Sequence, residues 1–263
     1  MHNESAETPL IELREEAGIA VITLSNPARL NAFSKAMRLQ LYPLLLALES
    51  RADIRVILLT GAGGNFCSGG DISEMQRRTV LEARERMDLP TRIFKLLVSG
   101  SKPVIAAVEG NAAGAGMSLV AASDYCVAAR DARFAAPFIR MGMIPDTGGV
   151  WSLLHRLGQR RTFELCALAE PIDAEKALRI DLINEICEPG AALEQAMAVA
   201  RRLIRQPALA LALLKSALAV GADTLDQAVN SEIASQGVLM SSDDYAEAVA
   251  AFKEKRKPTF TGR

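Results

Sequence analysis

Histidine is nearly absent from this chain of 263 residues, which contains only His2 and His155. A Ser-His-Asp triad needs an imidazole as its general base, and catalytic zinc sites are commonly built on several histidines. His2 lies at the N-terminus, where chains usually fray. Neither kind of site is therefore expected, no metal is predicted, and an enzyme of this composition should use a carboxylate as its proton carrier.

The features of several other protein classes are missing as well. The formal net charge is -1, so no basic face for nucleic-acid phosphates is expected. No run reaches the roughly 18 apolar residues of a membrane span. Residues 1–9 carry two glutamates and no apolar segment, unlike a secretory signal, and the four cysteines form no CxxC motif. The sequence predicts a cytoplasmic protein with reduced cysteines and neither a nucleic-acid nor a membrane partner.

Apolar residues are abundant, at 50% of the chain, and their pattern predicts an α/β fold. Residues 10–13 and 19–24 are typical of a hairpin, and 56–59, 103–108 and 125–129 of buried strands. Ser34 is the predicted N-cap of a helix that Pro43 should kink or interrupt. Helices are expected over residues 72–99 and throughout the chain after about residue 150, where strand signals nearly vanish.

Two glycine-rich loops follow predicted strands and precede helices, at residues 61–71 and 114–116. Backbone N–H groups at a helix start are oriented donors, so two such loops that meet would form an oxyanion hole for a thioester carbonyl. Each loop alone is more typical of a plain tight turn. Neither a GxxxxGK[ST] nor a GxGxxG motif is present, which argues against a nucleotide site.

Six segments in order along the chain resemble the enoyl-CoA hydratase/isomerase (crotonase) superfamily. The resemblance implies a crotonase-type spiral of β-β-α turns over residues 1–200. It also implies an all-helical oligomerisation region over 201–263 that forms a homotrimer or a dimer of trimers. The implied substrates are acyl-CoA thioesters, with coenzyme A entering as part of the substrate and no separate cofactor. The matching segments are residues 26–33, 65–72, 102–110, 114–119, 142–149 and 251–256.

The resemblance also implies site residues. The oxyanion hole would consist of the backbone N–H groups of Ser68 and Ala115, while Asp71 and Ile72 would lie along the coenzyme A moiety. Basic residues within 253–257 are candidates for contacts with its phosphates. Further predicted contacts with the substrate or coenzyme A are made by Arg29, Gly69, Gly70, Gly114, Gly116, Ser118, Phe138 and Trp151.

Two departures from the family pattern bear on the reaction. Hydratases of the family use two glutamates to activate water, and their positions correspond to Ser118 and Phe138 here. Neither side chain carries a proton as a carboxylate does, so hydration by the usual mechanism is disfavoured. Ser118 is interpreted as a small polar wall residue, because no histidine lies near it in the sequence.

Asp146 is the predicted catalytic carboxylate. Isomerases of the family carry an acid at this position, including dienoyl-CoA isomerases and the ring isomerase of aerobic phenylacetate degradation. A double-bond shift needs one base that removes a proton and returns it elsewhere, and burial would raise the Asp146 pKa towards a useful range. Met141, Met143, Phe138 and Trp151 are candidates for an apolar pocket around it. The competing interpretation is an N-cap on a helix that starts near Gly148.

An acyl-CoA double-bond isomerase, with ring-derived acyl groups among its candidate substrates, is therefore the leading hypothesis. Another crotonase-type reaction, either an enoyl-CoA hydratase or an acyl-CoA hydrolase, is the first alternative. A catalytically silent scaffold subunit is the second. Cys67, beside an implied oxyanion donor, is interpreted as a buried filler rather than a reactive thiol.

Overall fold

The computed structural model describes residues 9–262. Within them a six-stranded sheet has the order β1-β2-β3-β4-β6-β9, and a three-stranded sheet has the order β5-β7-β8. The strands are β1 (Ile11–Glu16), β2 (Ile19–Leu24), β3 (Val56–Gly61), β4 (Val104–Val108), β5 (Asn111–Ala113), β6 (Tyr125–Ala129), β7 (Arg133–Ala135), β8 (Ile172–Asp173) and β9 (Glu185–Cys187).

The predicted N-terminal hairpin is confirmed. β1 and β2 pair antiparallel, with Glu16 opposite Ile19, and Ala17 and Gly18 form the turn in left-handed conformations. The remaining neighbours in the main sheet pair in parallel. Strands β3, β4 and β6 are buried almost throughout, as their continuous apolar sequences predict.

Nine α-helices lie within the described residues, and three short 3₁₀ turns accompany them. The helices are α1 (Lys35–Glu49), α2 (Val80–Ser99), α3 (Ala115–Ala122), α4 (Gly149–Leu168), α5 (Ala174–Arg179), α6 (Ala192–Leu203), α7 (Ala208–Val220), α8 (Leu225–Met240) and α9 (Asp243–Lys253). The 3₁₀ turns are Pro27–Arg29, Ile72–Glu74 and Pro137–Met141.

Several predicted boundaries change. The Ser34 side chain caps α1 as expected, but α1 continues through Pro43, because its apolar face is buried in the core on both sides of the proline. The helix predicted over 72–99 begins only at Val80. Strands β8 and β9 were not predicted, since at two and three residues they are too short for a periodic signal.

The main sheet packs on both faces. One face meets α1, α2 and α3 in the larger core, and the other meets α6 through alanines such as Ala196 and Ala200. This sandwich presents the loops after β3 and β5 at the start of α3, where the predicted site lies.

The C-terminal helices leave many apolar side chains exposed. Leu218 on α7, Leu225 on α8 and Phe252 on α9 are 70%, 78% and 85% exposed. Such a surface fits the predicted oligomerisation region, which stays a prediction. The proposed boundary at residue 200 falls inside α6. No single helix within residues 9–262 is long and apolar enough to cross a membrane, whereas α6 and α7 together have the length and composition of a broken span, bent by 110°.

Candidate active site

The two glycine-rich loops meet, as the sequence predicts. Cys67 and Ala112 form a parallel bridge in which the Cys67 N–H donates to the Asn111 carbonyl and the Ala113 N–H donates to the Cys67 carbonyl, both at 2.9 Å. This bridge holds residues 67–70, the oxyanion loop, against the first turn of α3. The site is therefore organised by backbone rather than by side-chain contacts.

Glycine is required at two points of this contact. A Cβ on Gly69, whose φ is +103°, would lie 2.9 Å from the Ala113 carbonyl oxygen. A Cβ on Gly116 would lie 2.3 Å from the Cys67 carbonyl oxygen. Any side chain at either position would push the loops apart, so Gly69 and Gly116 allow the two backbones to pack closely. Their predicted contacts with the substrate or coenzyme A stay predictions.

The oxyanion donors differ in part from the prediction. The Ala115 N–H, at the first position of α3, has no acceptor within residues 9–262. The Ser68 N–H instead donates to the Leu30 carbonyl at 2.9 Å, so the predicted assignment of Ser68 is corrected. Leu30 is brought there by a left-handed backbone, with a φ of 48°. The Gly70 N–H is bonded to no other described residue and lies in a half-buried position, which makes it a candidate donor of this loop.

Ser118 lies in the first turn of α3, and Phe138, in the 3₁₀ turn Pro137–Met141, packs beside the start of that helix. The buried Ser118 hydroxyl is 3.4 Å from the Gly114 carbonyl, and a Cβ on Gly114 would be 3.9 Å from Phe138 Cζ. A Cβ on Gly149 would lie 2.4 Å from Ser118 Oγ, so the start of α4 also reaches this place. Where hydratases of the family hold two carboxylates, this chain therefore presents one small hydroxyl and one buried ring.

Asp146 stands in the turn that leads into α4. Its carbonyl accepts the Gly149 N–H at 2.8 Å, and its carboxylate accepts the Thr147 hydroxyl at 3.1 Å. Gly148 is the N-cap of α4, and no side chain caps this end, so the interpretation of Asp146 as the cap is wrong. The Thr147 hydroxyl is the one hydrogen-bond partner of the Asp146 carboxylate among the described residues.

The Asp146 carboxyl group is half-buried, and burial raises its pKa above the ordinary value. The Thr147 hydroxyl and the guanidinium groups of Arg38 and Arg86 oppose this increase. A raised pKa is the shift expected of a carboxyl group that transfers protons near neutral pH. Arg38 and Arg86 were not identified from the sequence, because they lie 108 and 60 residues before Asp146 and no local pattern connects them.

An aromatic group packs beside this turn. A Cβ on Gly148 would lie 2.2 Å from Phe94 of α2, and Phe94 meets Trp151 edge to face at 5.9 Å. Trp151 in turn stacks on His155 at 3.9 Å, while the His155 Nδ1 lies 2.8 Å from the Trp151 carbonyl. Phe94 was not predicted, since in the sequence it is one more apolar residue of a helix.

Two pocket residues proposed from the sequence are misplaced. Met141 and Met143 are 55% and 40% exposed, so they do not enclose Asp146 within this chain. The segment 141–144 runs over the surface, and only at Pro145 does the chain turn inward. The aromatic residues near this turn are Phe94, which packs against Gly148, and Trp151, which meets Phe94, whereas Phe138 lies beside Gly114.

The predicted coenzyme A segment is held by an ion pair. Arg29 Nη1 lies 2.9 Å from Asp71 Oδ2 and donates to Ser73 Oγ at 2.9 Å, which joins two residues predicted to contact coenzyme A. These contacts, with the Ser73 hydrogen bond first, lower the pKa of Asp71. Ile72 is 75% exposed, an open position for a ligand to lie along.

Two further predictions concern reactive or charged groups. Cys67 is fully buried and burial raises its pKa to about 12, which confirms the interpretation as a filler. Within the basic C-terminal segment, Arg256 is already paired with Glu247 at 2.6 Å and with Glu254 at 2.6 Å. A contact between this segment and coenzyme A phosphates stays a prediction.

Comparison with known proteins agrees with this geometry. A sequence profile of the family described as enoyl-CoA hydratase/isomerase matches residues 14–263. The 1,2-epoxyphenylacetyl-CoA isomerase of Escherichia coli K12 is 37% identical over 253 residues, which cover 94% of this chain and 97% of that protein. The crotonyl-CoA hydratase of Syntrophomonas wolfei is 33% identical over 255 residues, covering 96% of this chain and 98% of that protein.

A solved structure shows the same fold. The enoyl-CoA hydratase from Polaromonas sp. JS666 superposes with a TM-score of 0.90 at 33% identity, covering 95% of this chain and 99% of that one. Relatives of both reaction types, isomerase and hydratase, share this scaffold, which supports a crotonase-type reaction of a coenzyme A thioester. The chain belongs to the enoyl-CoA hydratase/isomerase (crotonase) superfamily.

Proposed function

We propose that the protein is an acyl-CoA double-bond isomerase in which Asp146 is the proton shuttle. The observation that carries the proposal is the contrast at the start of α3 and α4. Ser118 and Phe138 occupy the two positions that the family resemblance assigns to the hydratase carboxylates. Asp146 lies just before the start of α4, which packs against Ser118 through Gly149, and burial raises the pKa of its half-buried carboxyl group. One carboxylate is sufficient for isomerisation, whereas the family's hydration mechanism uses two.

The steps follow from the placement of the groups. The N–H groups of Ala115 and Gly70 would bind the thioester oxygen, and Asp146 would remove a proton from the acyl chain. The electron pair of that C–H bond moves into an enolate, which the two N–H donors stabilise as charge develops on the oxygen. Asp146 then returns the proton to a different carbon, so the double bond moves and the substrate keeps its mass.

The substrate side of the proposal rests on the same surroundings. Phe94 and Trp151 supply aromatic surface beside the turn that follows Asp146, and Phe138 supplies it at the start of α3, which suits an acyl chain or a ring. The similarity to 1,2-epoxyphenylacetyl-CoA isomerase makes ring-derived thioesters the first substrates to try.

The test is Asp146→Asn, assayed with 3-enoyl-CoA and ring-type acyl-CoA substrates. General acid–base catalysis contributes about 10²–10⁴-fold, and we expect kcat to fall by that factor while acyl-CoA binding persists. Product mass separates the alternatives, because isomerisation leaves the mass unchanged and hydration adds one water. Undiminished turnover in Asp146→Asn, or a hydrated product from the unaltered protein, would contradict the proposal.

A further inference from the structure

A left-handed turn at Leu30 and Asn31, the Leu30–Asn31 turn, lies against the oxyanion loop and takes no part in the proton transfer proposed above. The backbone φ angles of the two residues are 48° and 54°. Asparagine adopts this conformation more readily than most residues, whereas leucine has no local preference for it. Such conformations persist where the surrounding structure holds them, and they cluster at functional sites. The contacts of the turn therefore indicate what it holds in place.

The Asn31 side chain is fully committed to the loop after β3. It is completely buried, and its Nδ2 group donates to the Ala62 carbonyl at 2.8 Å and to the Asn65 carbonyl at 2.7 Å. Its Oδ1 atom accepts the Asn26 N–H at 2.8 Å. Both amide hydrogens and the amide oxygen are thus used, so this one side chain fixes the loop after β3 to the turn.

The backbone of the same turn binds the oxyanion loop. The Leu30 carbonyl accepts the Ser68 N–H at 2.9 Å. Three residues further along the chain, the Phe33 N–H donates to the Gly69 carbonyl at 2.7 Å. These two bonds hold consecutive residues of the loop, and the next N–H, that of Gly70, has no acceptor among the described residues. A rotation of the Leu30 carbonyl would release the Ser68 N–H and change the direction of the Gly70 N–H.

The second candidate donor is connected to the turn through Asn65. The Asn65 Oδ1 atom accepts a hydrogen bond from Asn111 Nδ2 at 2.8 Å, and the neighbouring Phe66 N–H donates to the Glu109 carbonyl at 2.8 Å. Asn111 begins β5, the strand that leads to the Ala115 N–H at the start of α3. The turn is thus linked to both donors, directly to one loop and through Asn65 to the other.

We propose that Leu30 and Asn31 are positioning residues for the oxyanion hole, because they fix its two N–H donors relative to each other. The inference rests on the proposed function, since these are the donors that would stabilise the enolate. Such donors act by pointing to the place where the oxygen gains charge, and small misplacements of these groups are costly. Leu30 and Asn31 act through the backbone of the oxyanion loop and transfer no proton.

The first experiment compares Asn31→Gly with the unaltered protein. Glycine accepts the left-handed backbone, so this variant removes the amide alone. We expect kcat for 3-enoyl-CoA isomerisation to fall by about ten- to a hundredfold. The Kd for coenzyme A, which has no thioester carbonyl, should stay unchanged. An unchanged kcat would overturn the proposal, and so would an equal weakening of coenzyme A binding, which would show that the amide merely supports the fold.

Asn184→Gly is the matched control. The Asn184 Oδ1 atom accepts the Cys126 N–H at 2.8 Å, beside β9 at the edge of the main sheet. This variant loses an asparagine side chain and its hydrogen bond to the backbone, as Asn31→Gly does, but far along the sheet from β3. Its kcat should match that of the unaltered protein.

A spectroscopic measurement reports on the donors directly. Infrared difference spectra of bound, isotope-labelled hexanoyl-CoA, a saturated thioester that cannot isomerise, show how strongly the carbonyl oxygen is hydrogen-bonded. Stronger hydrogen bonds lower the carbonyl stretching frequency. We expect a higher frequency in Asn31→Gly than in the unaltered protein and in Asn184→Gly. Equal frequencies in the three proteins would contradict the proposal.

Two substitutions of Leu30 test the turn at a residue that is 45% exposed, and they decide if Asn31→Gly does not fold. A β-branched side chain at a positive φ is a conformational outlier, so Leu30→Val should turn the Leu30 carbonyl away from the Ser68 N–H. We expect kcat to fall by about tenfold, with a raised carbonyl frequency. Leu30→Gly tolerates this φ and should lose less activity, although it removes more of the side chain. A larger loss in Leu30→Gly than in Leu30→Val would overturn the role of the backbone.

The outcomes separate this inference from the proposed function. Asp146→Asn should bind hexanoyl-CoA with the carbonyl frequency of the unaltered protein, because its donors are intact, and yet lose turnover. Full turnover in Asp146→Asn would refute the proposed function whatever the frequencies show. An inactive Asp146→Asn, with kcat and frequency unchanged in Asn31→Gly and Leu30→Val, would leave the proposed function standing and overturn the role of the Leu30–Asn31 turn.

Discussion

The two sides of the candidate active site use different chemical groups, backbone groups on one side and a single side chain on the other. The oxyanion side, residues 67–70 and 113–116, consists of backbone groups locked by a bridge between Cys67 and Ala112. The carboxylate side is one side chain, Asp146, in a turn that follows the exposed segment 141–144. Under the proposed function, thioester binding would depend on the close backbone packing at Gly69 and Gly116, which a Cβ at either position would disrupt. The choice of reaction would depend on the single side chain of Asp146.

The largest effect in this comparison is expected when a backbone N–H donor is removed and no side chain with a proposed function is changed. Ala115 occupies the first position of α3, where proline is tolerated because the N–H has no helical partner. We expect Ala115→Pro to lower kcat by about 10²–10³-fold, the usual effect of losing one oxyanion donor. Asp243→Pro, at the first position of α9, is the control. Unchanged kcat in a folded Ala115→Pro protein would show that this N–H is not a donor.

A second substitution disturbs the carboxylate side through its support. Gly148 has a φ of +72°, and a Cβ there would lie 2.2 Å from the Phe94 ring. Gly148→Ala should displace the Asp146 turn and lower kcat by about ten- to a hundredfold, because small misplacements of catalytic groups are costly. Gly190→Ala controls for strain alone, since Gly190 has a φ of +83° and open space around it. Equal activities of the two variants would argue against the steric explanation.

The raised pKa of Asp146 predicts a dependence of stability on pH. Between the ordinary aspartate pKa and the raised one, the folded state holds a proton that the unfolded state has released. The free energy of unfolding contributed by this group therefore falls as the pH rises through that window. Asp146→Asn removes the effect, so its stability relative to the unaltered protein should increase with pH there. Urea unfolding at several pH values measures this difference, and a difference that decreases with pH would contradict it.

The smallest effect is expected at Cys67, which belongs to the oxyanion side yet is fully buried, and burial raises its pKa to about 12. Iodoacetamide at neutral pH should leave this thiol unmodified and activity unchanged, because the reactive thiolate is scarce and inaccessible. Mass spectrometry of digested peptides locates any label. Modification of Cys67 in the native protein, with loss of turnover, would show that the oxyanion loop opens.

Local signals predicted much of the fold. Ser34 was identified as a helix cap, and the apolar runs at 56–59 and 125–129 were identified as buried strands. Both predictions succeeded because capping and strand burial depend on residues that are neighbours in the sequence. The prediction that Pro43 kinks or interrupts α1 was wrong, because core packing along α1 outweighs the loss of one backbone hydrogen bond. The exposure of Met141 and Met143 was also missed, because a single apolar residue does not reveal which way its loop runs.

The site shows the same division. The scarcity of histidine and the residues at positions 118, 138 and 146 pointed, by sequence alone, to one-carboxylate chemistry on a thioester. The sequence does not reveal that the Leu30 carbonyl accepts the Ser68 N–H. It also does not reveal that Arg38 and Arg86 supply the positive charge that acts on Asp146. Residue types carry intrinsic chemistry and local backbone preferences. Hydrogen-bond partners and electrostatic neighbours are set by distances across the fold, which only the tertiary structure determines.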